Sequence, residues 1–155
     1  MLLAGCANTG TLQPFATDGC SLFPDRDAVS GTAWRCCCVA HDVAYWRGGT
    51  ADERRAADAA LKACVRGATG DRALGRTMQA GVRAGGTPYL PTSFRWAYGW
   101  GYGRFYRPLT ALELAQADLL LGHYRTTTPD ACMAPQATGA GPAPRQTNGA
   151  STVRP

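Results

Sequence analysis

Lysine and histidine are nearly absent from this chain of 155 residues. Lys62 is the only lysine, and His41 and His123 are the only histidines. Two histidines are too few for the metal-dependent phosphohydrolases, whose His-Asp pairs need further His and Asp ligands. Because lysine is scarce, the net charge of +5 is carried almost entirely by arginine. That charge favours an anionic partner such as a lipid surface, a nucleic acid or an acidic protein.

Long apolar runs are also missing. No stretch approaches the ~20 apolar residues that a membrane-spanning helix needs. The composition is nevertheless 45% hydrophobic, with four Trp, six Tyr and four Phe. A chain of this length and composition is expected to form one globular domain with its own core.

Cysteine, by contrast, is plentiful. Seven cysteines in a chain of this size indicate either disulfides formed in an oxidising compartment or a metal site. The odd number leaves one thiol to explain. Residues 2–6 read LLAGC, which resembles a bacterial lipobox, whose cysteine is lipidated after cleavage. We therefore expect an exported protein, either secreted or anchored to a membrane as a lipoprotein through Cys6; a chance match is the alternative.

Periodicity and capping signals predict four helices. The first runs to about Trp46, ends at the glycines that follow, and carries on one face Trp34, Cys37, Cys38, His41 and Tyr45. Thr50 and Glu53 form a capping box that opens a second helix, to about residue 65. A third helix is predicted from about 71 to 83, and a fourth, behind another capping box at Thr110, to about 124.

These elements predict a mainly α fold. The domain is expected to span 18–125, after an export segment and linker over 1–17. Residues 126–155 are rich in Pro, Gly, Thr, Ala and Gln, so we expect a low-complexity tail that is disordered apart from Cys132.

The first two predicted helices are joined by a short connector and are therefore antiparallel neighbours. In such a pair, residues at the same height have numbers whose sum is nearly constant, as with Cys37 and Cys64 and with His41 and Asp58. At a rise of ~1.5 Å per residue, one register brings both pairs level. We expect a disulfide at the first pair and a His–Asp contact at the second.

A His–Asp contact suits proton-transfer chemistry. A neutral imidazole can take a proton from a bound water near neutral pH. A buried carboxylate fixes the other ring nitrogen and stabilises the imidazolium that forms. Asp58 lies in mid-helix, so capping does not explain it; a purely structural His–Asp pair is the alternative.

The three adjacent cysteines, residues 36–38, could instead ligate zinc. Zinc sites favour spaced pairs such as C-x₂-C with further Cys or His ligands, and only His123 is otherwise available. His123, near the end of the fourth predicted helix, is interpreted as a favourable charge at a helix C-terminus.

The motif CCxxHDxxY, with an aspartate six residues before a cysteine on the next helix, resembles the secreted phospholipase A2 superfamily. The motif residues are Cys37, Cys38, His41, Asp42 and Tyr45. The resemblance covers roughly residues 18–65 and implies an antiparallel helix pair stapled by disulfides. It also implies calcium-dependent hydrolysis of glycerophospholipid acyl esters. His41 would activate a water, Asp42 would bind calcium, and Tyr45 and Asp58 would hold the histidine.

The resemblance further implies disulfide pairings and a calcium loop. It joins Cys37 to Cys64 and Cys38 to Cys20, which leaves Cys36 and Cys132 as a third pair once Cys6 is set aside. In place of the family's glycine-rich loop stands TDGCSLFPDRD. If Cys20 marks the equivalent point, the Ca²⁺ ligands beside Asp42 are the carbonyls of Gly19, Ser21 and Phe23.

Residues 89–106 are unusually aromatic, and Arg95 and Arg104 lie among the rings. Tyr and Trp beside arginine suit a lipid interface; base stacking and packing over the helix pair are the alternatives. We expect a phospholipid membrane surface as partner, no nucleic acid, because disulfides argue against that class, and a monomer. The alternative to an enzyme is a catalytically inactive relative that binds a membrane or a protein.

Overall fold

A computed structural model of the protein describes residues 10–133, which form four α-helices and no strand. The helices are α1 (Arg35–Arg47), α2 (Ala51–Thr69), α3 (Arg72–Gly85) and α4 (Ala111–Thr127). The predicted mainly α class is confirmed. Within the described range, no helix has both the length and the apolar character needed to cross a bilayer. Cys6 and most of the predicted tail lie outside these residues.

The helix ends follow local capping chemistry. Gly48, with a φ of 73°, ends α1 where the glycine pair predicts it. Thr50 accepts a hydrogen bond from the Glu53 N–H, and the Glu53 side chain accepts one from the Thr50 N–H. The same reciprocal arrangement opens α4. α2 continues past residue 65 because its left-handed cap comes only at Gly70, whose N–H donates to a carbonyl of the last turn.

α1 is the central helix, with a core cluster on either side. One cluster lies between α1, α4, the N-terminal segment and residues 96–100: Leu12, Phe15, Val39, Tyr45, Trp46, Trp96, Ala97, Trp100, Ala117, Leu121 and Met133. The other lies between α1, α2 and α3: Cys20, Trp34, Cys37, Cys38, Leu61, Val65 and Met78. α1 is therefore packed on two sides.

Three disulfides attach α1 to the rest of the chain. They join the pairs Cys20–Cys38, Cys36–Cys132 and Cys37–Cys64, the three expected pairs. Successive residues of a helix point about 100° apart. Consecutive cysteines can therefore reach three different segments, namely the N-terminal loop, the C-terminal segment and α2. With all three cysteines in disulfides, a zinc site at residues 36–38 is ruled out.

The packed unit includes segments on both sides of residues 18–125. Leu12 and Phe15, in the stretch interpreted as linker, are buried. Met133 is buried as well, and Asp130 forms a two-pronged ion pair with Arg35, at 2.9 and 3.0 Å. The Cys36–Cys132 disulfide thus closes an ordered segment beyond α4.

The aromatic segment contributes to the core. Trp96 and Trp100 are buried and donate their indole N–H groups to the carbonyls of Gly49 at 3.0 Å and Arg47 at 2.7 Å. These bonds satisfy the carbonyl of the last residue of α1 and one carbonyl of the connector to α2. Packing over the helix pair is therefore confirmed for the two tryptophans, whereas Tyr89 and Tyr102 remain exposed.

Candidate functional site

α1 and α2 bring His41 against Asp58 in the register predicted from the sequence. His41 Nε2 lies 3.0 Å from Asp58 Oδ1, and the Asp58 side chain is 0% exposed. A carboxylate only accepts hydrogen bonds when ionised, so the imidazole proton belongs on Nε2. Nδ1 is then the nitrogen with a free lone pair.

Asp58 is stabilised as an anion by three donors. Besides His41, the Tyr45 hydroxyl donates to Oδ1 at 2.7 Å and Arg83 Nη1 donates to Oδ2 at 3.1 Å. Burial raises the pKa of Asp58, but the hydrogen bonds from these three residues outweigh it and hold the pKa below its usual value. Asp58 is therefore charged at neutral pH and can stabilise a cationic imidazole.

Tyr45 connects Asp58 to a buried arginine. Its hydroxyl donates to Asp58 and accepts from Arg54 Nε at 3.0 Å. Burial raises the pKa of the Tyr45 hydroxyl well above its usual value, so it remains a neutral donor. Its ring lies 4.1 Å from the His41 ring, centroid to centroid. Tyr45 thus restrains both members of the His41–Asp58 pair.

A largely apolar cavity of about 270 Å³ adjoins this pair. From α1 it is lined by His41, Asp42 and Tyr45, from the loop before α1 by Gly19, Ser21 and Phe23, and from α2 and α3 by Leu61, Met78, Gly81 and Val82. The structure therefore brings six of the seven predicted site residues around one cavity. Asp58 is the seventh. It does not line the cavity but is hydrogen-bonded to His41, which does.

The cavity mouth has an apolar rim formed by Leu22, Phe23 and Phe94. All three are exposed, and Leu22 is 96% exposed with a φ of 39°. Positive φ is strained for a leucine, and full exposure gains it no burial. Neither feature of Leu22 is explained by folding stability, which makes the rim a candidate contact surface.

Asp42 lies at the loop side of the cavity and is half-buried. The Thr17 hydroxyl donates to its Oδ2 at 2.5 Å. Burial raises the pKa of Asp42 to about 7, against the Thr17 hydrogen bond, and the nearby Asp18 carboxylate adds to the rise. The negative charge of Asp42 is therefore disfavoured at this end of the cavity, and a bound cation would stabilise it.

The loop beside Asp42 has uncommitted carbonyls. Within residues 10–133, the carbonyls of Gly19, Ser21 and Phe23 accept no hydrogen bond from the protein. Among the same residues, no group of three or more His, Cys, Asp or Glu side chains could share a metal ion. A site made of one carboxylate and backbone carbonyls needs no such group, and its all-oxygen donor set fits Ca²⁺.

Sequence reasoning missed Arg54 and Arg83. The helix register that pairs His41 with Asp58 also places Arg54 level with Tyr45, so Arg54 could have been found. Arg83 was missed because α2 was expected to end near residue 65. α2 instead runs to Thr69, so only two residues separate it from α3, and the register of that short connector places Arg83 level with Asp58.

No family model, no curated protein and no solved structure matches the chain.

Proposed function

We propose that the protein is a phospholipase A2-like hydrolase that cleaves an acyl ester of a glycerophospholipid with the help of calcium. The observation that carries the proposal is the pairing of His41 Nε2 with buried Asp58, which leaves Nδ1 as the free nitrogen of a residue lining an apolar cavity. Such a pair beside an apolar cavity suits a water-activating base acting on an acyl chain.

His41 carries the proton transfer in this proposal. Nδ1 takes a proton from a water as the water oxygen attacks the ester carbonyl carbon. Asp58 stabilises the resulting imidazolium through Nε2–H, and Tyr45 keeps the carboxylate oriented. When the tetrahedral intermediate collapses, the ester C–O bond breaks and the proton passes from Nδ1 to the departing alcohol oxygen. The products are a fatty acid and a lysophospholipid.

Calcium would be held by Asp42 together with the carbonyls of Gly19, Ser21 and Phe23. When bound, it supplies a Lewis acid that polarises the ester carbonyl and balances the negative charge on its oxygen. The free carbonyls beside the half-buried Asp42 carboxylate support this assignment.

A lipid substrate is supported by the apolar lining and by the exposed rim of Leu22, Phe23 and Phe94. A rim of this kind lets an acyl chain pass from a bilayer into the cavity without crossing water. The net charge of +5 adds attraction to anionic phospholipids.

The second candidate is a catalytically inactive relative that binds a membrane or a protein partner. It is favoured by the loop, where non-glycine residues Ser21 and Leu22 adopt positive φ values of 29° and 39°. A strained, leucine-bearing loop is also what a pure docking surface would use.

The test is fatty-acid release from phospholipid vesicles with millimolar calcium or with chelator. We expect release that needs calcium and falls about 10²–10⁴-fold in His41→Ala. His123→Ala is the matched control, because His123 is exposed on α4, outside the cavity, and should keep full activity. If the wild type binds vesicles but releases no fatty acid, the hydrolase proposal fails and the second candidate, a catalytically inactive relative, takes its place.

A further inference from the structure

Two guanidinium groups contact the His41–Asp58–Tyr45 cluster without a part in the proton transfer. Arg83 reaches Asp58 Oδ2 from α3, and Arg54 reaches the Tyr45 hydroxyl from α2. They approach the cluster from two different helices. His41 bonds neither of the two atoms they contact, Asp58 Oδ2 and the Tyr45 hydroxyl oxygen.

Arg54 is only 4% exposed, and all its hydrogen-bond partners among the described residues are neutral. Besides Tyr45 it donates to the Tyr106 hydroxyl at 2.7 Å and to the carbonyls of Val82 at 3.1 Å and Arg83 at 2.8 Å. Burying a cation without a bound carboxylate costs free energy, so core stability alone does not account for it. These contacts fix the last turn of α3, which carries Arg83.

Arg83 is arranged differently. Its side chain is 44% exposed, yet it extends inward to a carboxylate that is 0% exposed. With Arg83 on Oδ2, the other oxygen, Oδ1, is left to accept from both His41 and Tyr45. The carboxylate then cannot rotate without losing a charge-assisted hydrogen bond.

We propose that Arg83, supported by Arg54, is a positioning residue that orients Asp58 and thereby fixes the tautomer of His41. In that tautomer the proton is on Nε2 and the lone pair of Nδ1 is available at the cavity. The catalytic consequence rests on the proposed function, whereas the effect on the tautomer does not. Removing Arg83 lets Asp58 reorient, so a fraction of His41 carries its proton on Nδ1.

The experiment records ¹⁵N shifts and long-range ¹H–¹⁵N couplings of the His41 ring in the full chain, without calcium or lipid. It is run at a pH where the ring is neutral, on wild type, Arg83→Met and Arg83→Lys. Arg76→Met is the matched control, since Arg76 is exposed on the same helix. Fatty-acid release is measured on the same samples, and circular dichroism checks that each variant is folded.

We expect a single Nε2–H tautomer in wild type and Arg76→Met, and a tautomer mixture in Arg83→Met. We also expect kcat to fall about 10–100-fold in Arg83→Met with KM nearly unchanged, and Arg83→Lys to recover part of both. If Arg83→Met does not fold, Arg83→Lys alone decides, because the shorter reach of lysine should still disturb the tautomer. A wild-type tautomer in every folded Arg83 variant overturns the proposal, whether or not the wild type hydrolyses lipid.

Discussion

At the residue scale, Asp58 is the shared hydrogen-bond acceptor of His41, Tyr45 and Arg83. It lies in the middle of α2, is wholly buried, and accepts hydrogen bonds from α1 and α3. Its hydrogen bonds keep it ionised despite burial, as the proposed proton transfer to His41 requires. Asp42, one position after His41, lies in the opposite situation, with burial and a second carboxylate disfavouring its charge.

The Asp42→Asn variant tests the proposed calcium site. Calcium binding, followed by titration calorimetry, should weaken by at least about tenfold, which is ~1.4 kcal/mol. The reason is that a neutral amide oxygen is a poorer ligand than a carboxylate. Asp52→Asn is the control, because Asp52 is an exposed carboxylate of α2 paired with Arg55. Equal calcium affinity in wild type and Asp42→Asn would remove Asp42 from the ligand set.

At the element scale, the α1–α2 pair was predicted from the sequence and the register of α3 was not. The capping box at Thr50, the glycines after α1 and two residue pairs at constant register specify the helix pair from local sequence. Arg83 and the cavity wall from α3 follow from the two-residue connector after α2, which was not recognised because α2 was expected to end near residue 65. The segment around Trp96 and Trp100 has no helical or strand period. The sequence therefore did not decide between a lipid interface, base stacking and packing over the helix pair.

The register of the helix pair is held by the Cys37–Cys64 disulfide. Replacing both cysteines by alanine should lower the free energy of unfolding by about 2–5 kcal/mol in urea titrations. Fatty-acid release should also fall, because the same register aligns His41 with Asp58. Peptide mapping without reduction should find this link together with Cys20–Cys38 and Cys36–Cys132. Free thiols at these positions would contradict the fold.

At the scale of the whole molecule, a buried ion pair ties the aromatic segment to α4. Arg104 donates to both carboxylate oxygens of Glu113, at 2.5 and 2.9 Å, and its guanidinium lies 4.2 Å above the Trp100 ring. Glu113 also accepts from the N–H of Thr110 in the α4 capping box. The Glu113 carboxylate thus bonds both the N-terminus of α4 and an arginine of the aromatic segment.

This pair predicts a pH dependence of stability. The Arg104 hydrogen bonds lower the pKa of Glu113 to about 2, below its value in the unfolded chain. The stabilisation is therefore complete above a pH of about 4.5 and is lost as the pH falls toward about 2. In Glu113→Gln this part of the dependence of stability on pH should disappear. The variant should also be less stable at pH 7 by about 3–5 kcal/mol, because Arg104 stays buried and unpaired.

Thermal unfolding between pH 2 and 7 measures this effect. Asp118→Asn is the control, since Asp118 pairs with Arg47 but is largely exposed, and exposed pairs contribute only about 0–1 kcal/mol. An unchanged acid slope in Glu113→Gln would show that another carboxylate controls acid stability.

If His41 activates a water that attacks an acyl ester, the oxygen of that water must appear in the released fatty acid. The experiment incubates the protein with phospholipid vesicles in ¹⁸O-labelled water with calcium and measures the mass of the fatty acid by mass spectrometry. We predict that the wild type releases fatty acid with one ¹⁸O in its carboxyl group and that His41→Ala releases almost none. No fatty acid from the wild type, or equal release by His41→Ala, would exclude His41 as the base of an ester hydrolase.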